Sequence, residues 1–362
     1  MRILHIGLSS IRGGIESFTE SQANELYSQG VVFDYADIYG GGICISTPES
    51  RVYTLPSFKR HPRRVMRELT ALMASGSYDC VHIHLASEAN TLPLRAARAA
   101  GIHPVLHLHF SSSNGILRRL AHTLFGGIFN TLPAHRVCPT ESSGKWFFKS
   151  NDFTVLKSPV STERFRFDAE VRRTVRGELG ISDDCILFGY IGRLERVKNP
   201  LFALEVLKAL TEKYKSQAVR LLIIGDGSLS KSLDERARAL GLDKYITRIP
   251  YTERVNEYLF AMDSLIMPSK SEGLSLVAVE AQCAGVPVIF ADTVPYENKI
   301  LENSLILPAS AEKFADEISR RNTSLTKREQ AYESFKNSEY DIRTSSGMLL
   351  SIYKGLCQGG KK

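Results

Sequence analysis

The sequence predicts an α/β protein built from two doubly wound, parallel-sheet domains. Three observations carry that prediction. Short apolar runs alternate with helix-period segments almost from end to end, and the pattern breaks once, near residue 160, then restarts. The chain is 362 residues long, beyond the roughly 250–300 residues at which one core stops growing.

In order along the first domain, Ile3–Ile6, Val31–Ile38, Cys80–His84, Val105–His109 and Thr154–Leu156 are rich in aliphatic residues, as strands buried on both faces are. Between them Glu16–Gln29, Pro62–Ala74, Ala89–Ala100 and Ile116–Asn130 carry apolar residues at helical spacing. The seam lies near Ser158–Phe167: a strand ends at Lys157, Ser158-Pro159 punctuates, and polar residues lead into a charged helix over Asp168–Leu179. The second series of strands is Ile186–Ile191, Leu221–Ile224, Ile246–Ile249, Leu265–Met267 and Val288–Phe290, with helices at Pro200–Lys213, Ser230–Leu240, Glu253–Ala261 and Leu274–Cys283. Ser338–Leu356 is amphipathic and expected to be a helix returning to the first domain. The predicted division is therefore 1–160, 161–337 and a C-terminal helical segment 338–362. Ligands of such folds bind beyond the carboxyl ends of the strands, so both domains are expected to present loops to a cleft between them.

Composition narrows the function classes. A hydrophobic fraction of 43% with 23% charged residues is ordinary globular usage, and Gly 26 with Pro 14 excludes collagen and low complexity. No apolar run reaches the ~18 residues that span a bilayer, and Met1–Leu8 is too short for a secretory signal. Six widely spaced cysteines fit neither a metal ribbon nor a disulfide framework, so a cytoplasmic protein with reduced thiols is expected. Lys+Arg 46 against Asp+Glu 39 gives +7, with the excess N-terminal, at Lys59-Arg60-His61-Pro62-Arg63-Arg64 with Arg67 and at Arg118-Arg119. A solvated helix face accounts for these, and so does contact with an anionic surface such as phospholipid headgroups or a lipid diphosphate. Nucleic acid does not fit, because the basic clusters lack interleaved aromatic platforms.

Three segments carry chemistry. The first strand runs into Gly13-Gly14-Ile15-Glu16, where two glycines admit a ligand close to the backbone and a helix N-terminus offers free N–H groups to an anion; a tight turn without ligand has the same sequence. Gly189–Lys198 delivers Gly192 and Arg193 to a strand end, with Lys198 five residues on; a guanidinium and a mobile ammonium there suit a diphosphate, unless both are simply surface cations. Glu272-Gly273-Leu274-Ser275-Leu276-Val277-Ala278-Val279-Glu280 follows the strand Leu265–Met267 and is the most informative stretch. Gly273 and Leu274 place amides at a helix start, and Glu280, two turns down that helix, is flanked by apolar residues and needs partners. Two carboxylates at this spacing suit the paired hydroxyls of two sugar rings.

Glu272-x7-Glu280 running into Ala281-Gln282-Cys283-Ala284-Gly285-Val286-Pro287-Val288-Ile289 resembles the family-4 retaining glycosyltransferases of GT-B fold, two Rossmann-like domains facing across a cleft. The Gly13-Gly14 opening, the Val105–His109 strand and Gly192-Arg193 with Lys198 fall in that family's order, and the likeness covers nearly the whole chain, thinning after about Pro308. His82-Ile83-His84, His107-Leu108-His109 and Gly144-Lys145-Trp146 are most like bacterial exopolysaccharide and capsule enzymes. The resemblance implies that Arg193 and Lys198 hold the donor diphosphate, Glu280 the ribose hydroxyls and Glu272 a hydroxyl of the transferred sugar. It implies backbone contacts from Gly13, Gly14, Gly192 and Gly273–Ser275, a base framed by Pro250 and Tyr251, and His109 as the active-site histidine, with His107 on the same strand face as its competitor. Ser158-Pro159-Val160-Ser161 departs from the family's usual Asn-Gly-(Ile/Val)-Asp and puts hinge geometry in question.

The activity so implied is metal-independent transfer of a sugar from a nucleotide-sugar, UDP-linked by default and GDP-mannose behind it, to a growing lipid-linked polysaccharide. The chain has no Asp-x-Asp to hold a divalent metal, so Arg193, Lys198 and helix N-termini take the metal's place and no cofactor is expected. The expected partners are the donor, a lipid-linked or saccharide acceptor and an anionic membrane touched peripherally at its inner face. A GT-B epimerase, a sugar phosphorylase and a non-catalytic nucleotide-binding subunit share the architecture, and a nicotinamide dehydrogenase is disfavoured because Gly225-Asp226-Gly227 matches its glycine fingerprint only in part.

Overall fold

The computed structural model describes residues 1–85, 90–109, 129, 131–214, 218–320 and 325–359. Two compact units divide the chain, Met1–Pro159 together with Glu339–Lys362, and Val160–Ser338.

In the first unit the described elements are β1 (Arg2–Ile6), α1 (Gly14–Tyr27), β2 (Val32–Asp37), β3 (Val52–Thr54), α2 (Pro62–Ala74), β4 (Cys80–Leu85), α3 (Leu92–Ala99), β5 (Val105–Leu108), β6 (His135–Cys138), α4 (Glu141–Phe148) and β7 (Thr154–Val155), joined by α12 (Ile342–Gly359) from the chain's far end. The sheet order is β3-β2-β1-β4-β5-β6-β7, parallel throughout. Alternation along each strand feeds two cores. Leu4, Ile6, Val81, Ile83, Leu106 and Leu108 meet Val65, Leu69 and Met73 of α2, Leu94 of α3, and Phe147 and Phe148 of α4 on one face. Ile3, Phe33, Tyr35 and Val105 meet Phe18, Ala23 and Leu26 of α1 and Leu349, Leu350 and Tyr353 of α12 on the other. Each fully buried side chain of this size contributes roughly 1.5–3 kcal/mol. Buried hydrogen bonds fix α12 against α1: Gln22 Nε2 donates to Ser345 Oγ (2.8 Å) and Ser346 Oγ donates to Gln22 Oε1 (2.6 Å).

The second unit runs α5 (Ala169–Glu178), β8 (Ile186–Ile191), α6 (Phe202–Lys213), β9 (Val219–Ile224), α7 (Ser230–Ala239), β10 (Ile246–Ile249), α8 (Val255–Ala261), β11 (Ser264–Met267), α9 (Leu276–Cys283), β12 (Val288–Ala291), β13 (Leu305–Leu307), α10 (Ala311–Arg320) and α11 (Leu325–Phe335). Its sheet is again parallel, in the order β10-β9-β8-β11-β12-β13. The Asp168 side chain caps α5 by accepting from the Glu170 and Val171 amides. Three guanidiniums then converge on the carboxyl end of α8. Arg172 and Arg176 donate to its terminal carbonyls and to Asp263, and the buried Arg328 of α11 donates to Phe260 O (2.9 Å) and Met262 O. The negative end of a helix dipole is where such cations are favoured.

Most expected elements are present, and Pro62–Ala74, Ile186–Ile191 and Ile246–Ile249 have the expected bounds. The helix expected from Leu274 starts at Leu276, so Glu280 sits little more than one turn into it rather than two. The helix expected over Ile116–Asn130 and the Arg118-Arg119 pair lie outside the described residues, apart from Phe129. Among the described residues no helix is long and apolar enough to cross a membrane.

Candidate active site

In the second unit β8 has β9 on one side and β11 on the other, so the loops after β8 and β11 leave the sheet in opposite senses and open the crevice where ligands of such sheets bind. The loop after β8 carries Gly192, Arg193 and Lys198. Its path is set by glycine: Gly225, at φ +139, lies so close to Gly192 that a Cβ would stand 2.0 Å from the Gly192 carbonyl oxygen. The buried Tyr190 hydroxyl donates to Arg193 O (3.0 Å) and holds the turn. Arg193 is exposed and its guanidinium makes no hydrogen bond or ion pair among the described residues, so its fork of donors is open to a ligand. The Lys198 ammonium crosses the crevice and donates to Glu272 Oε1 at 2.5 Å.

Glu272 is fixed further by Ser269 Oγ, which donates to the same oxygen at 3.0 Å. Lys270 N donates to Val197 O (2.8 Å), tying the two loops together. Beyond Glu272 a buried Asn298 braces the turn: its Nδ2 donates to Gly273 O (2.8 Å), and its Oδ1 accepts from Ser275 N (2.8 Å). Gln282 in turn donates to Asn298 O (2.8 Å) and accepts from the Ile300 and Leu301 amides. The expectation that Ser275 lends its amide to a ligand is therefore corrected, because Asn298 occupies it. The amides of Gly273 and Leu274 have no partner among the described residues and remain available.

Glu280 is half-buried, and its carboxylate has no hydrogen-bond partner among the described residues. Burial pushes its pKa from 4.5 up to about 7, against a smaller downward pull from Arg164. A carboxylate so placed gains most from hydroxyl donors that a ligand brings. Pro250 and Tyr251 follow β10, the edge strand, with Tyr251 60% exposed; they share the sheet's carboxyl edge with the crevice but stand two strands from β8.

The first unit repeats the topology, with its switch between β1 and β4. Gly13 caps α1 without a side-chain bond, and the first-turn amides from Gly14 have no intrahelical acceptor. The buried Glu16 closes the preceding loop by accepting from Ser9 N (2.9 Å) and Ser9 Oγ (3.1 Å). Beside it lies a file of five histidines that alternate on one sheet face: His5 on β1, His82 and His84 on β4, His107 on β5 and His109 just past its end. Register pairs His5 with His82 and His84 with His107. His107 is buried and bonded to His82 Nε2 (3.2 Å), whereas His109 is half-buried at the strand's carboxyl end and bonded to His84 Nδ1 (2.8 Å), so of the two it is the one placed to meet a ligand. Burial pushes every one of these imidazoles down, His5 and His109 to about 3, so all are neutral near pH 7.

Residues 171–338 match the family of glycosyl transferases group 1. The match lies wholly within the second unit. The putative glycosyltransferase EpsF of Bacillus subtilis is 26% identical over 97% of this chain and 96% of its own length. The UDP-Gal:alpha-D-GlcNAc-diphosphoundecaprenol alpha-1,3-galactosyltransferase of Escherichia coli is 24% identical over 81% of this chain and 79% of its own. Among solved structures, Anabaena HepE in complex with UDP-glucose superposes with a TM-score of 0.80 at 16% identity, covering 98% of this chain and 100% of that one. The fold is thus that of GT-B glycosyltransferases, two parallel-sheet Rossmann-like domains, and the chain is related to nucleotide-sugar transferases of polysaccharide biosynthesis.

In this transferase unit the sequence pointed to Arg193, Lys198, Glu272 and Glu280 but not to Ser269, Asn298 or Gln282, which hold Glu272 and the turn after it. Gln282 lies two residues beyond Glu280 inside an apolar helix, the one signal available, since a buried amide there must have partners.

Proposed function

We propose that this protein is a retaining glycosyltransferase that moves a sugar from a UDP-linked donor to a lipid-linked saccharide acceptor of surface polysaccharide synthesis. The observation that carries the reading is the second unit's switch point. There the Lys198 ammonium meets a fixed carboxylate, the Arg193 guanidinium projects from the same loop as Lys198, and a second carboxylate with no hydrogen-bond partner among the described residues stands just inside the following helix. Arg193 and Lys198 neutralise the diphosphate, aided by the Gly273 and Leu274 amides; Glu272 accepts from a hydroxyl of the sugar and Glu280 from the ribose. The anomeric C1–O bond breaks toward the diphosphate while the acceptor oxygen bonds to C1 on the same face, and the acceptor's proton passes to the departing phosphate oxygen. Charge on that leaving group is stabilised by the two cations without a metal. His109 orients the sugar or the acceptor.

An anionic lipid carrier suits the first unit, which we read as the acceptor side. α2 buries Val65, Leu69 and Met73 and leaves Arg63, Arg64 and Arg67 exposed. Beside it a cavity of about 390 Å³ is lined by Phe58, Pro62, Met66 and Leu92 with Arg63 and Arg95, an apolar wall edged by two cations. Association with the membrane face is then peripheral and electrostatic.

The test is incubation with UDP- and GDP-sugars, with and without lipid-diphosphate-linked saccharides. UDP release that requires acceptor, and a product retaining the donor's anomeric configuration, are expected. Interconversion of donors without transfer marks an epimerase and overturns the reading, as does an inverted product. Absence of binding to anionic vesicles at low salt removes the membrane contact.

A further inference from the structure

We infer that His5 and His84 are positioning residues that fix His109 as a hydrogen-bond donor, through a directional chain of neutral imidazoles. Three rings on adjacent strands are joined by two nitrogen–nitrogen contacts, His109 Nε2 to His84 Nδ1 at 2.8 Å and His84 Nε2 to His5 Nδ1 at 2.9 Å. Three neutral imidazoles carry three N–H protons. Each contact uses one, so the third sits at one end of the chain, on His109 Nδ1 or on His5 Nε2.

The buried end decides between them. His5 Nε2 has no hydrogen-bond partner among the described residues, and its ring is wholly buried against Phe33, with centroids 3.9 Å apart. A proton there is a donor stranded in an apolar pocket, whereas a bare nitrogen is a stranded acceptor, the less costly of the two. His5 therefore donates through Nδ1 to His84 Nε2, His84 donates through Nδ1 to His109 Nε2, and the remaining proton stands on His109 Nδ1. Thr19 Oγ1, 3.4 Å from His84 Nε2, accommodates this order, since its hydroxyl donates to Ile15 O (2.8 Å) and leaves that nitrogen's one lone pair to His5, while its oxygen can still accept a proton. His107 and His82 form a separate file that ends on the Tyr353 hydroxyl, 2.7 Å from His82 Nδ1.

The half-buried end of the chain, at His109, thus offers a ligand an N–H and no lone pair, because Nε2 is already accepting. His109 orients an oxygen of the sugar or acceptor and does not take up a proton. Its effect on turnover rests on the function proposed above; the position of the proton does not.

Long-range proton–nitrogen correlation spectra of histidine-labelled protein, without substrate, separate protonated from bare ring nitrogens, and loss of a signal in His109→Gln assigns it. Protonated Nδ1 and bare Nε2 are expected for His109; the reverse overturns the inference. In His5→Phe the buried anchor is gone, and His84 Nε2 is free to give its proton to Thr19 Oγ1. The chain should then reverse, His109 should become Nε2-protonated, and transfer should fall about ten-fold with little change in donor KM. An unmoved tautomer in His5→Phe, with or without loss of rate, shows a packing role and overturns the inference. If that variant does not fold, the wild-type spectrum decides alone. The expected wild-type spectrum with no transfer from any nucleotide-sugar counts against the proposed function and leaves the chain intact.

Discussion

Replacing Glu280 by glutamine should stabilise the free protein and weaken it as a nucleotide-sugar binder. The folded state holds the Glu280 proton up to a pH of about 7, while the unfolded chain releases it near 4.5. Below 4.5 both states are protonated and there is no penalty. As pH rises from 4.5 to about 7 only the unfolded state loses the proton, so stability falls, and above 7 the loss is complete. A span of about 2.5 pH units at ~1.36 kcal/mol each sets an upper bound of about 3 kcal/mol. Part of the carboxylate reaches solvent, and screening reduces the expected figure to about 2 kcal/mol. Denaturant unfolding of wild type and Glu280→Gln between pH 4.5 and 8, with the second unit's transition followed separately, measures it. The variant should be the more stable at pH 8, with the gap closing toward pH 4.5. A gap independent of pH, or a wild type that is the more stable at pH 8, would refute the account of a buried carboxylate waiting for ligand hydroxyls. The same account requires UDP to stabilise wild type more than the variant.

Other outcomes follow from the same geometry. Lys198→Ala removes the ammonium that holds Glu272 and should lower the rate of sugar transfer by roughly 10²–10³-fold, measured by UDP release, while circular dichroism stays unchanged. Asn298→Ala removes the brace on Gly273 and Ser275; a stability loss of about 2 kcal/mol and a raised donor KM are expected in unfolding and steady-state assays. Gly285→Ala should cost ~3 kcal/mol or more, because the residue sits at φ +70 and its new Cβ would come 2.5 Å from the Arg328 Cα. Chelation by EDTA should leave transfer undiminished, and a loss restored by Mg²⁺ or Mn²⁺ would show that the two cations do not replace a metal.

That the chain builds two parallel, doubly wound sheets follows from aliphatic runs that the sequence displays openly. Strands buried on both faces, such as Ile186–Ile191, have a composition that little else shares. What stayed hidden has physical reasons. β3 and β13 are three-residue strands at sheet edges; Val52–Thr54 is largely exposed and builds no apolar run, and Leu305–Leu307, though apolar, is short and only half-buried. β6 reads His-Arg-Val-Cys, its first half polar. The helix Glu141–Phe148 is announced by a Thr140–Ser143 capping box, in which serine stands where glutamate or glutamine usually gives the signal. Ala311–Arg320 presents Phe314, Ala315 and Ile318 on one face and was legible in principle. In the crevice, charged residues adjacent in the chain were visible, while Asn298, 26 residues beyond Glu272, is joined to that turn only by folding. The paired His-x-His segments could be seen to share a face; that His5 completes the file depends on β1 lying beside β4.

The first unit is assembled from both ends of the chain, since α12 supplies Leu349, Leu350 and Tyr353 to a core otherwise laid down before residue 160. A ribosome making this protein therefore releases all of the second unit before the first can seal. For most of synthesis one sheet face is covered by α1 alone, and the unit begun first is the one finished last. Any premature stop between residues 339 and 349 yields a chain whose transferase unit is whole and whose amino-terminal half is left open to chaperones and proteases.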